Sequence, residues 1–241
     1  MRKYGVIGNP IKQSFSPGYF AKKFEKQGIT DARYDAYLVH EISQIITLVR
    51  QENLSGFNVT MPHKETIIAH LDQLDEAARQ VGAVNTVKVV DGKLCGYNTD
   101  AVGFRKSLKG LVPRGVVTAL VFGTGGSSRA VRYALQQLGV LHSSVSRGAG
   151  AEYTYADITA EVIAEHRFII NTTPLGMSTL EDQCLAIPYQ ALSSTHVAYD
   201  LVYNPSETLF LAKAKKQGAH TKNGLQMLEL QADASWEIWN T

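Results

Sequence analysis

The sequence predicts an α/β protein of two domains, each built on a mainly parallel sheet. Three observations carry that expectation. Short β-branched runs alternate with stretches of helical period along the whole chain, the pattern of βαβ units. One run, residues 116–122, is apolar almost throughout, as a central strand covered on both faces must be. The chain of 241 residues is also long enough for one or two domains of the usual size, roughly 100–200 residues each.

Taken in order, residues 3–7 read as the first strand. Ser16-Pro17 then opens a helix, a capping Ser with Pro in the first turn, that runs through Phe20, Phe24 and Gln27 to Gly28. Residues 33–39 alternate like a strand, and 42–49 carry apolar residues at helical spacing. Residues 56–60 form another short strand, and Pro62 starts the helix after it. Residues 83–90 and 93–97 read as a hairpin around Asp91-Gly92, a pair that supplies the positive φ angles of a tight turn. Residues 101–108 are helical. After the 116–122 strand, further strands are expected at 141–145, 168–171 and 197–200, with helices between them. The last stretch, 225–239, has helical period and ends on Trp236 and Trp239, expected to cover this chain's own N-terminal domain.

Composition removes several function classes. With 24 basic and 22 acidic residues the formal charge is only +2, far from the basic excess that phosphate-backbone binding demands. No nucleic-acid partner is expected. No run approaches the ~18 apolar residues of a membrane span, and Asn9-Pro10 ends the N-terminal apolar run too early for a signal peptide. The two cysteines, Cys95 and Cys184, have no histidine at metal-ligand spacing and read as two buried thiols in a reducing compartment. A cytoplasmic protein without metal is expected.

The 116–122 strand runs straight into Gly123-Thr124-Gly125-Gly126-Ser127-Ser128-Arg129, and a helix follows to Gly139. Strand, glycine turn and helix occur in the order of a dinucleotide site. Gly123 permits the tight turn. Gly125 or Gly126 lets the backbone approach a pyrophosphate seated on the free N–H groups of the helix. Ser128 is small enough for close packing of helix on strand. In the next strand, 141–147, no Asp or Glu stands ready for a ribose hydroxyl. Arg147 lies instead where a cation meets a 2′-phosphate, so NADP is favoured over NAD.

The first region carries polar residues with no evident packing role: Ser14, Ser16, Asn58, Thr60, Lys64, Asn85 and Asp100. Asn58 and Thr60 alternate with Val59 and so share one strand face. Each has a plainer reading, Ser16 as a helix cap, Lys64 as a solvated side chain, Asn98-Thr99-Asp100 as a turn. Together, at strand ends of an α/β region, they describe a hydroxyl-binding pocket with one cation and one carboxylate.

At these residues the sequence resembles one family, the shikimate dehydrogenases with their quinate-using relatives. The resemblance rests on Gly-Asn-Pro-Ile-Lys-Gln-Ser-Phe-Ser-Pro at 8–17, Asn-Val-Thr-Met-Pro-His-Lys at 58–64, Gly-Ala-Val-Asn-Thr at 82–86 and Gly-Tyr-Asn-Thr-Asp at 96–100. It continues with the glycine block at 123–129, Asn-Thr-Thr-Pro-Leu-Gly-Met at 171–177, Asp-Leu-Val-Tyr-Asn-Pro at 200–205 and Asn-Gly-Leu-Gln-Met-Leu at 223–228. The blocks keep the family's order and span nearly the whole chain.

The resemblance implies two α/β domains separated by a cleft, a substrate domain of residues 1–100 plus 221–241 and a Rossmann-type NADP domain of 101–220. It implies reversible, NADP-dependent reduction of 3-dehydroshikimate to shikimate in aromatic amino acid biosynthesis, with Lys64 and Asp100 as the catalytic pair. Substrate would be held by Ser14, Ser16, Asn58, Thr60, Asn85, Tyr203 and Gln231. Cofactor would be held by Gly123, Gly125, Gly126, Ser127, Ser128, Arg129, Ser146, Arg147, Thr172, Gly224 and Met227. A Lys on the first turn of the Pro62 helix would stand where the helix dipole opposes its charge and eases proton release.

The chain departs from the family pattern in places. The strand after the glycine loop ends Ser146-Arg147-Gly148, with one basic clamp where the family has more, and Gln226 stands where Gly is usual. Two alternatives therefore stay open: a quinate/shikimate dehydrogenase with relaxed use of NAD and NADP, and a non-catalytic relative that senses the ligand. Retention of both Lys64 and Asp100 speaks against the second.

Overall fold

A computed structural model of the chain describes residues 1–11, 14–148 and 150–241. Lys12 and Gln13 of the 8–17 block, and Ala149, lie outside the described residues. The chain divides into two compact units, Met1–Thr99 with Gln231–Thr241, and Asp100–Leu230. The return to the first unit thus comes at Gln231, later than the 221 expected, and Asp100 opens the second unit.

The first unit holds a six-stranded sheet of order β2-β1-β3-β5-β6-β4. Its strands are β1 (Arg2–Gly8), β2 (Ala32–Leu38), β3 (Leu54–Val59), β4 (Gln73–Leu74), β5 (Thr86–Val90) and β6 (Lys93–Tyr97). β1 pairs parallel with β2 and β3, while β3, β5 and β6 run antiparallel. Side chains alternate across β1 as a pleated strand requires. Tyr4 and Val6 meet Phe20 and Phe24 of α1 (Ser16–Gln27), whereas Ile7 joins Phe57, Val59 and α2 (Ile45–Glu52) on the other face. The Asp91-Gly92 turn has φ angles of 50° and 76°, as the hairpin expectation requires.

Two local expectations need correction, and one short helix is new. Ser16 does not cap α1: Phe15 is the cap residue, with no side-chain cap bond, and Ser16 is the first helical residue. Residues 61–65 form turns rather than a helix, followed by a single 3-10 segment, Thr66–His70. The reason lies in competing tertiary bonds. Lys64 O accepts from Val84 N at 2.7 Å, and the buried His63 ring bonds Val39 O at 2.7 Å. The short α3 (Glu76–Val81) was not anticipated, although Asp75 caps it through Ala77 N and Gly82 ends it with φ 67°.

The second unit holds a parallel sheet of order β12-β11-β10-β7-β8-β9. The strands are β7 (Thr118–Phe122), β8 (Leu141–Ser146), β9 (Tyr153–Thr154), β10 (Phe168–Asn171), β11 (Val197–Asp200) and β12 (His220–Lys222). Every side chain from Ala119 to Phe122 is buried, as expected of the central strand; Val116 lies outside it and is 86% exposed. The later helices are α4 (Thr99–Ser107), α5 (Gly126–Gln137), α6 (Ala160–Ala164), α7 (Leu209–Lys216) and α8 (Leu225–Asn240), the last passing into the first unit at Gln231. From β7 the chain moves outward through β8 and β9, then returns to β10 on the other side of β7. That reversal is a topological switch point, where open α/β sheets bind ligands at the carboxyl ends of their strands.

Cys95 is buried and Cys184 is only partly so; both are free thiols. Trp239 is buried within the first unit, stacked on Tyr4 with ring centroids 4.8 Å apart, so the tryptophans do cover their own chain. Among the described residues, no helix is long and apolar enough to cross a membrane, and no cluster of His, Cys, Asp or Glu is placed to hold a metal.

Candidate active site

In the first unit three of the expected residues, Asn58, Asn85 and Gln231, share one buried polar layer. Asn58 at the end of β3 accepts a 2.7 Å bond from the Tyr34 hydroxyl. Its amide donates to Asn85 O at 3.0 Å, Thr86 Oγ1 at 3.1 Å and Ser235 Oγ at 2.9 Å. Asn85 in turn receives Thr99 N at 2.7 Å and donates to Thr99 Oγ1 at 2.9 Å and Gln231 Oε1 at 3.2 Å. The hydroxyls of Thr86, Thr99 and Ser235 close the layer, with separations of 2.8–3.1 Å. A fully bonded polar network of this kind is rigid.

This layer gives the expected residues distinct standings. Asn58 is committed to the protein from both ends of its carboxamide and brackets β2, β3, β5 and α8 together. Asn85 and Gln231 share the next position along. Ser16 is buried while Ser14, Thr60 and Lys64 are each partly exposed. Thr60 is held by its backbone, N to Ile7 O at 2.9 Å and O from His63 N at 3.0 Å, and its methyl lies over Gly8, where no β-carbon fits. Lys64 stands on the turn before the 3-10 segment, so the helix-dipole argument for its proton does not carry over. Asp100 lies in the first turn of α4 and is 7% exposed; there the dipole is complementary to a carboxylate. Lys64 belongs to the first unit and Asp100 to the second.

Tyr34, Thr99 and Ser235 were missed by sequence reasoning. Burial pushes the Tyr34 phenol far above its ordinary range, against a weaker opposite pull from Ser16, so it serves as a neutral donor. The spacing of Gln231 and Ser235 was a usable signal, because residues four apart share a helix face.

In the second unit the glycine turn is built as a cradle. Gly123 has φ 115°, and a β-carbon there would lie 2.5 Å from Thr172 Oγ1. Thr172 fixes this approach by donating its hydroxyl to Phe122 O at 2.6 Å and its N–H to the same oxygen at 2.9 Å. Ser128 is buried and turns its hydroxyl back to Gly123 O at 2.6 Å. Gly125 is the cap residue of α5 and offers no side-chain cap, and the space beside it is open. Gly126 starts the helix, with Ser127 and Arg129 on its first turn.

An anionic pyrophosphate fits this end of a twelve-residue helix, because Gly125 brings no capping side chain and no β-carbon to block the approach. At the end of β8, Ser146 Oγ bonds Gly148 O at 2.6 Å and closes the turn that presents Arg147, an exposed cation. The acid that follows, Glu152, is engaged elsewhere: it accepts from Ser144 N at 2.9 Å and the Ser144 hydroxyl, and pairs with Arg132 at 3.4 Å. Burial pushes its carboxyl up, but the Ser144 bonds outweigh that and hold it below the ordinary range. The residues present therefore suit a dinucleotide with a 2′-phosphate.

The loop after β11 carries Tyr203, whose phenol is pushed up by burial. Gly224 donates its N–H to Val202 O at 3.1 Å, and a β-carbon on it would lie 2.6 Å from the Leu201 carbonyl carbon. A side chain is thus excluded at Gly224 by protein backbone. Met227 on α8 is 6% exposed. Gln226, at the unusual position, accepts from Lys222 Nζ at 2.5 Å, and burial holds that ammonium below its ordinary value.

Comparison with known proteins places these features in context. Residues 6–87 match the model of the shikimate dehydrogenase substrate binding domain. The chain is 37% identical over 255 residues to shikimate dehydrogenase (NADP(+)) of Bacillus cereus strain AH187, covering 98% of this chain and 91% of that protein. The crystal structure of shikimate dehydrogenase from Aquifex aeolicus superposes with a TM-score of 0.91 at 37% identity, over 100% of this chain and 92% of the other. The Thermus thermophilus enzyme in complex with NADP(H) and shikimate gives a TM-score of 0.88 at 33% identity, over 99% and 93% of the two chains.

Proposed function

The chain belongs to the shikimate dehydrogenase family, and from that premise we propose that it interconverts 3-dehydroshikimate and shikimate with NADP. The observation that carries the cofactor half is the open α5 terminus at Gly125, which brings no capping side chain, together with the exposed Arg147 after β8. The substrate half is supported by the rigid polar layer around Asn85 and Gln231.

Bound nicotinamide supplies the hydride and accepts it in the reverse direction. Lys64 Nζ gives a proton to the ring carbonyl oxygen as it becomes a hydroxyl, and Asp100 is the second member of the catalytic pair. Ser14, Ser16, Thr60, Asn85, Tyr203 and Gln231 hold the hydroxyls and carboxylate of the ring. Asn58 acts from behind, keeping β3, Asn85 and α8 in register. Gly123, Gly125, Gly126, Ser127, Ser128 and Arg129 seat the pyrophosphate, Ser146 and Arg147 the 2′-phosphate, and Thr172, Gly224 and Met227 the nicotinamide side. The product serves aromatic amino acid biosynthesis in the cytoplasm.

The test is nicotinamide reduction by the purified protein, with shikimate or quinate crossed against NADP or NAD, each titrated to saturation. A kcat/KM preference for shikimate with NADP supports the reading. Comparable rates with quinate or NAD move the protein to the quinate/shikimate branch. No turnover with any pair sinks the enzyme reading in favour of a ligand sensor.

A further inference from the structure

Loops leave the carboxyl ends of β10, β11 and β12; one buried carboxylate joins the first two, and Val202 links them to the third. Asp200, the last residue of β11, has no exposed surface and is bonded by three neutral donors. Asn171 Nδ2 at 2.9 Å and Val202 N at 3.0 Å reach its Oδ1, and Thr208 Oγ1 at 2.6 Å reaches its Oδ2.

Two of the donors, Asn171 and Val202, lead to residues of the site, and the third ties in α7. Asn171 precedes Thr172 and folds the loop behind it, accepting from Thr173 N at 3.0 Å and Thr173 Oγ1 at 2.6 Å and donating to Leu175 O at 3.1 Å. Val202 precedes Tyr203, and its carbonyl accepts from Gly224 N. Thr208 caps α7 through Leu211 N at 3.4 Å, and a β-carbon on Gly176 would lie 3.1 Å from its side chain. Loops otherwise drift in position more than the strands they leave, and a carboxylate shared by several donors in a low dielectric is a strong tie.

We propose that Asp200 is a positioning residue for the hydride-transfer site: acting through Asn171 and Val202, it sets Thr172, Tyr203 and Gly224 in fixed relation to one another. The proposal rests on the functional reading above. Supporting residues of this kind decide whether a site is held within the sub-ångström tolerance that transfer chemistry needs. An amide at 200 keeps part of the tie. Its oxygen still serves Asn171 and Val202, and its N–H meets Thr208, whose hydroxyl can turn and accept.

The experiment compares full-length D200A, D200N, N171A and D200A/N171A with wild type. It measures the Kd for NADP+ by calorimetry, kcat/KM for shikimate, and thermal unfolding. Asp200 acting through Asn171 predicts that D200A and N171A each raise the NADP+ Kd and lower kcat/KM by about tenfold or more. It predicts that the double variant falls well short of the product of the two effects. D200N should keep at least about tenfold more kcat/KM than D200A. Effects that multiply, a D200N as damaged as D200A, or a folded D200A within about threefold of wild type in both readouts overturn the proposal. If D200A yields no folded protein, N171A decides: wild-type values for its NADP+ Kd and kcat/KM overturn it. Wild type that binds NADP+ but leaves shikimate unchanged counts against the functional reading, and the Kd comparison still decides this one.

Discussion

Gly56 on β3 lies against the indole of Trp239 with no room for a side chain: a β-carbon there would sit 2.5 Å from Trp239 Cδ1. The indole cannot back away easily, because its Nε1 donates to Val87 O at 2.9 Å and its ring stacks on Tyr4. Gly56→Ala is therefore expected to destabilise the protein by roughly 1–3 kcal/mol, the usual cost of overpacking a filled core. Chemical denaturation checks it, and an unchanged midpoint would show that the helix end yields freely.

Lys64→Ala is expected to lower turnover about 10²–10⁴-fold, the span for removal of a general acid–base group, with a much smaller change in shikimate affinity. Steady-state kinetics at neutral pH decide it. Near-normal kcat would remove the lysine from the proton-transfer role.

Arg147→Ala is expected to weaken NADP+ by about 10–100-fold, the worth of a charge-assisted bond to phosphate, while leaving NAD+ nearly unaffected. Titration of the two cofactors separates the outcomes, and equal losses would mean that the guanidinium does not read the 2′-phosphate.

Burial pushes the Asp200 carboxyl up to about 6, from an ordinary 3.8. Between these values the folded chain binds more protons than the unfolded one, so stability falls as pH rises through this window. The contribution is fully present below the ordinary value and gone above about 6. Asp200→Asn removes the titration, so from pH 4 to 7 wild type should lose on the order of 2–3 kcal/mol relative to the variant. Urea unfolding across that range measures it, and parallel curves would contradict it.

The glycine turn and its strand were legible because their signals are local: Gly123 needs its positive φ, and β7 is apolar from Ala119 to Phe122. The 61–65 turn was not, since Lys64 O and the His63 ring are engaged by Val84 and Val39, partners remote in sequence. Asn85 stood out as a polar residue without a packing role, but Gln231 came through family resemblance alone, since no spacing rule joins residues so far apart. Tyr34 and Asp200 escaped for a similar reason, as each looks like an ordinary strand residue until the fold surrounds it with donors and acceptors. Even Gly224, expected beside the cofactor, owes its lack of a side chain to Leu201.

The division of α8 between the two units, at Leu230 and Gln231, bears on how the chain folds during synthesis. Residues 1–99 leave the ribosome before the segment that stacks Trp239 on Tyr4 and supplies Ser235 to Asn58. The second unit, contiguous from Asp100 to Leu230, has all its residues available earlier. The usual N-to-C order of domain completion is thus inverted: the middle of the chain can close first, and the first unit is finished only by residues that follow the second.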